Sequence, residues 1–141
     1  MKDVLVKIKS KQMSEENGED VMEFVTEARM YERNGAVYLL YDETELSGIP
    51  GCRTRLRLRG DELQMKRFGE NAGVGNEIKF EKGKRYTGIF DTPFGPIELE
   101  VLTNNLTGEL TETGKGAIDI DYSISLKGLH EGRNILNITL M

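Results

Sequence analysis

Five arginines stand out in this chain. Arg53, Arg55, Arg57 and Arg59 occupy alternate positions, and Arg67 follows after the next turn signal. Alternate spacing places the first four side chains on one face of an extended strand, as a ladder about 20 Å long. Such a row can grip phosphates or an acidic protein surface. Residues 53–85 carry a net charge of +5 and the rest of the chain −10. The acidic remainder would repel a long polyanion, and no aromatic residue alternates within the ladder. Both features argue against nucleic acid as a partner, although RNA stays beside an acidic protein in this alternative. An outer strand face crossed by Asp and Glu from neighbouring strands accounts for the row more simply.

Arg67 differs because it shares parity with Leu63 and Met65 and therefore points to the apolar side of its strand. A buried guanidinium needs a carboxylate, carbonyl groups or an anionic ligand. The simpler partner is Glu43, which shares parity with Leu39 and Tyr41, or solvent at the mouth of the fold. The sharper reading is a small apolar or amphipathic anionic ligand anchored by Arg67, with Glu43, Tyr41, Met65 and Tyr122 completing the site.

Other reactive types offer less. The single His130 lies in Gly128-Leu129-His130-Glu131-Gly132, which reads as an exposed turn. The single Cys52 has no partner Cys and reads as a small inert thiol, with Arg53 its one cationic neighbour. Asp119 and Asp121 share one strand face, a solvated pair more simply than a cation site. Gly73-Val74-Gly75-Asn76-Glu77 is followed by no helix and is not a phosphate loop. With no nucleophile and base set, no His-rich metal site and no cofactor motif, a binding or interaction protein is expected, not an enzyme.

These residues must be held by strands. Val4, Val6 and Ile8 alternate with Leu5, Lys7 and Lys9, the two-residue period of a half-buried strand. The same pattern returns around Phe24–Met30 and Val37–Tyr41. Between those two runs lies Asn34-Gly35, the strongest short hairpin signal. It pairs Arg33 with Ala36, Glu32 with Val37 and Met30 with Leu39. Gly60-Asp61 makes a second hairpin, pairing Arg59 with Glu62, Leu58 with Leu63 and Leu56 with Met65. Thr92-Pro93-Phe94-Gly95 reads as a further turn. Long alternating runs follow at Ile97–Val101, Ile118–Leu126 and Leu136–Leu140. One helical turn is the most that fits Met13–Asp20, where Glu15–Asp20 reads as a solvated loop.

Eight to ten strands in 141 residues must close or pack as two sheets to hide their edges. The pattern predicts an all-β fold: one antiparallel up-and-down barrel of the calycin or lipocalin kind over residues 1–141, with a flattened sandwich as the alternative. Its lumen would be lined by Phe24, Met30, Leu39, Tyr41, Leu56, Met65, Ile120 and Tyr122. No apolar run approaches the roughly 20 residues of a membrane helix, and the alternating start is unlike a signal peptide. A cytoplasmic protein that does not engage membranes is expected. The two oppositely charged regions also make self-association into a homo-oligomer plausible.

Four segments carry a family resemblance: Met65-Lys66-Arg67-Phe68-Gly69-Glu70, Phe80-Glu81-Lys82-Gly83-Lys84, Phe90-Asp91-Thr92-Pro93-Phe94-Gly95 with Ile97–Val101, and Gly116–Tyr122. In order along nearly the whole chain, they resemble the YwiB-like bacterial proteins of Gram-positive organisms, with Phe90 and Phe94 where tyrosines are expected. The resemblance implies a calycin-like barrel of unknown function and a bacterial cytoplasmic setting. It supplies no catalytic residues. Lipocalin-like barrels that hold fatty acids often place cationic groups inside, which fits the reading of Arg67.

Overall fold

A computed structural model describes residues 2–14, 18–42, 52–69, 77–92, 95–110, 115–127 and 130–141. They form ten antiparallel strands: β1 (Lys2–Ser14), β2 (Gly18–Arg33), β3 (Ala36–Asp42), β4 (Cys52–Arg59), β5 (Glu62–Gly69), β6 (Glu77–Glu81), β7 (Arg85–Thr92), β8 (Gly95–Leu110), β9 (Gly116–Leu126) and β10 (His130–Leu140). Their order in the sheet is β6-β5-β4-β3-β2-β1-β10-β9-β8-β7. Every neighbour is consecutive in the chain except β1 and β10, so the sheet is a meander whose two chain ends lie side by side.

Local turn chemistry sets the hairpin registers. Asn34 (φ 53°) and Gly35 (φ 78°) both adopt positive φ, as a two-residue type I′ turn requires. Arg33 then faces Ala36, Glu32 faces Val37 and Met30 faces Leu39. The second hairpin pairs Arg59 with Glu62, Leu58 with Leu63 and Leu56 with Met65. Both registers match the sequence reading. Thr92 pairs with Gly95 as the third turn demands; Pro93 and Phe94 lie outside the described residues.

The expectation of a helical turn near Met13–Asp20 is corrected. Met13 pairs with Glu19 and Ser14 with Gly18, so β1 and β2 extend as one long hairpin. The reason is backbone pairing on two sides: Met13 is also held by Arg133 of β10, which a helical turn would forfeit. Residues 15–17 are outside the described set.

The sheet curls into a nearly closed barrel. Its two ends, β6 and β7, are joined by the turn after Glu81. There the Gly83 N–H donates to the Thr103 carbonyl at 2.8 Å, and the Thr103 N–H donates to the Lys84 carbonyl at 3.1 Å. Thr103 sits at a bulge of β8, where the pairing with β9 shifts between Thr103 and Asn105. Bulges bend a strand, and this one lies where β8 leaves β7 and leans toward β6. Farther along β8, the Leu58 side chain of β4 packs close over Gly108.

One parity of every strand fills the interior. Val6, Leu39, Leu63, Phe80, Val101, Ile118 and Ile138 are wholly buried, each contributing roughly 1.5–3 kcal/mol by leaving water. Of the expected lining, Met30, Leu39, Tyr41, Leu56, Met65 and Ile120 are buried, and Phe24 and Tyr122 are partly buried against them. No helix among the described residues is long and apolar enough to cross a membrane.

Candidate functional site

Two groups of side chains have the makings of a site, one on each face of the same strands. The inner group centres on Arg67. On β5, Arg67 lies directly opposite Thr54 of β4, and Thr54 lies opposite Tyr41 of β3. Thr54 is fully buried and Tyr41 nearly so. Arg67 therefore projects from the inner face, as its parity with Leu63 and Met65 requires, and its Nε is buried. Arg67, Tyr41 and Thr54 are each engaged in polar or ring contacts within the chain.

Tyr122 of β9 reaches the same region from across the barrel. Its ring tilts against Phe80 of β6, with centroids 4.8 Å apart, and Asn134 of β10 donates from Nδ2 to its hydroxyl at 3.1 Å. Burial pushes the phenol above its ordinary pKa, while the Asn134 hydrogen bond and the positive charge of Arg67 pull the other way. The two residues sit at different levels of the sheet: Tyr122 traces through Asn134 to Gln12 of β1, whereas Arg67 traces through Thr54, Tyr41 and Ala28 to Val4. Those two β1 positions are far apart along the strand, and only closure of a sheared sheet juxtaposes the ends.

Four of the five expected ligand residues, Arg67, Tyr41, Met65 and Tyr122, thus share the interior. Glu43 lies outside the described residues. Asn134 and Thr54 belong to this region and were not singled out from sequence; their inward parity was the available signal.

The outer group surrounds the arginine ladder. Arg53 donates from Nε to Asp42 Oδ1 at 2.9 Å, an exposed pair. Arg55 lies between two rings, its guanidinium carbon 5.7 Å from the Tyr38 centroid and 5.5 Å from that of Phe68. The Lys66 ammonium lies 5.3 Å from the Phe68 centroid. Tyr38 in turn stacks on Tyr31 across the β2–β3 hairpin, with centroids 4.7 Å apart and planes within 2°. The Nε atoms of Arg55 and Arg57 are buried without a hydrogen-bond partner among the described residues. Aromatic residues therefore do flank the ladder, supplied by neighbouring strands and absent from β4 itself. The register read at Met30/Leu39, advanced by one pair, already implied the Tyr31/Tyr38 contact.

A partly open cavity of about 550 Å³ lies at one end of β1–β4, lined by Asp3, Leu5, Glu27, Arg29, Leu40 and Arg53 among others. These six share the outward parity, while Val4, Ala28 and Tyr41 of the inward parity complete the lining, so the cavity lies at the end of the strands where both faces contribute.

The remaining candidates are placed plainly. Cys52 is buried at the start of β4, in keeping with an inert thiol. Asp119 accepts from Asn137 Nδ2 at 2.6 Å. Asp121 accepts from Arg133 Nε at 2.8 Å and from Asn104 Nδ2 at 3.3 Å. The two carboxylates are thus committed to separate amide and guanidinium donors. No cluster of three metal-ligating side chains occurs among the described residues. His130 opens β10 opposite Leu126; Gly73–Asn76 lie outside the described residues.

Comparison with known proteins supports the fold. The structure aligns with the crystal structure of ywiB protein from Bacillus subtilis at a TM-score of 0.83 and 24% identity, covering 98% of this chain and 89% of that one. No curated protein matches the sequence. The model of the family described as Domain of unknown function (DUF1934) matches residues 6–138, and the chain belongs to that family.

Proposed function

We propose that the barrel binds a small amphipathic anion, its acidic head held at Arg67 beside Tyr122 and Tyr41 and its apolar part against Met65. The observation that carries this reading is the inward placement of Arg67, directly opposite the fully buried Thr54 and with its own Nε buried. In a low-dielectric interior a cation next to two hydroxyl groups and a buried threonine is a better host for a carboxylate than for an aliphatic group. Arg67 is engaged by the chain, so the ligand head would join or exchange with its existing contact. On this reading the protein is a carrier or sensor of bacterial cytoplasm and not an enzyme.

Native mass spectrometry of protein purified from its own cells, with mass analysis of an organic extract, tests it. A retained anionic amphiphile that disappears in Arg67→Met is expected. An apo mass, together with no saturable binding of a dansyl-labelled fatty acid, would overturn it.

A further inference from the structure

The outer face of β2, β3, β4 and β5 carries a feature that the barrel ligand does not use. We propose that this face binds an extended single-stranded polynucleotide, its phosphates along Arg57 and Arg59 and its bases against Tyr31 and Phe68.

Spacing is the first argument. Residues two apart on a strand are about 7 Å apart, close to the phosphate repeat of an extended single strand. Arg57 and Arg59 make no ion pair among the described residues, whereas Arg53 at the other end of the ladder is held by Asp42. Geometry is the second. Tyr38 joins the Tyr31 ring on one side and the Arg55 guanidinium on the other, and Phe68 caps that guanidinium. The result is a row of planar groups that crosses the ladder at Arg55, next to Arg57, with Phe68 exposed. Planar rings and guanidinium groups are what unpaired bases stack on without regard to sequence.

An acidic peptide would answer the charges and leave the aromatic faces idle. A duplex would hide its bases from them. The acidic remainder of the chain, −10 against +5 over residues 53–85, confines a polyanion to this face and limits its footprint to a few phosphates.

The test is fluorescence anisotropy of a labelled oligouridylate of about 12 nucleotides, a length within the range a small β-barrel contacts. Neutralising two phosphates, at Arg57 and Arg59, predicts affinity falling roughly sevenfold between about 50 mM and 200 mM salt. Phe68→Leu, which keeps bulk and removes the π face, should weaken binding about tenfold. Arg57→Glu/Arg59→Glu should abolish it, and Lys127→Gln, at the exposed end of β9, should leave it unchanged. Thermal unfolding of each variant verifies that the barrel persists. Absence of binding at low salt overturns the proposal. So does displacement by polyglutamate at equal charge concentration with Phe68→Leu indifferent, which would assign the face to an acidic protein.

Discussion

Asn134 of β10 donates from Nδ2 to the Tyr122 hydroxyl of β9 at 3.1 Å, and this hydrogen bond, together with the positive charge of Arg67, holds down a phenol pKa that burial raises. Removing the charge in Arg67→Met should therefore raise the Tyr122 ionisation further above its ordinary value, while Asn134→Ala should do the same by removing a donor. Ultraviolet difference titration of the phenolate measures this. The sign for stability follows from linkage. As pH passes the ordinary tyrosine value of 10.0, the unfolded chain releases the proton and the folded chain keeps it, so stability falls with rising pH. Tyr122→Phe should flatten that alkaline fall.

Asp121 behaves in the opposite direction. The Arg133 hydrogen bond holds its carboxyl below the usual value, against a smaller opposing effect of burial, and Asn104 helps. The resulting stabilisation is present above the unfolded value of 3.8 and is lost as pH falls through the lower folded value. Denaturant unfolding of Asp121→Asn should show less loss of stability between neutral pH and pH 2 (~2, below the ordinary carboxylate range) than the unsubstituted protein. The effect should be small because the Arg133 side chain is half exposed.

Leu39 lies at the centre of the inner face and is wholly buried. Leu39→Ala should lower unfolding free energy by about 2–5 kcal/mol, the usual range for a cavity left by a buried Leu. Chemical denaturation with an unchanged dependence on denaturant would verify that the loss is native packing.

Gly116 starts β9 at φ 144°, and an added Cβ there would collide with the Glu109 carbonyl oxygen. Gly116→Ala should cost at least about 1–3 kcal/mol, since the obstacle is backbone and cannot rotate away. A thermal midpoint equal to that of the unsubstituted protein would contradict this account.

Within the strands, the sequence by itself determined face and register. The inward parity of Arg67, the outward ladder and both two-residue hairpins were legible because strand period and turn chemistry are local properties. The extension of β1 and β2 through Met13 and Glu19 was not legible, since it depends on β10 pairing from the other side. Tertiary structure alone decided which non-adjacent strands meet. Tyr122 of β9 meets Phe80 of β6 only through the stagger of the nearly closed sheet, and Gly83 meets Thr103 only where a bulge bends β8. The aromatic rings flanking Arg55 lie between these cases. Phe68 follows from the β4–β5 hairpin register read at Gly60-Asp61, whereas Tyr38 stands beside β4 through the β3–β4 pairing, which no two-residue turn in the sequence sets. Cross-strand neighbours follow from local registers added together, whereas contacts across a barrel follow from shear, which is a property of the whole sheet.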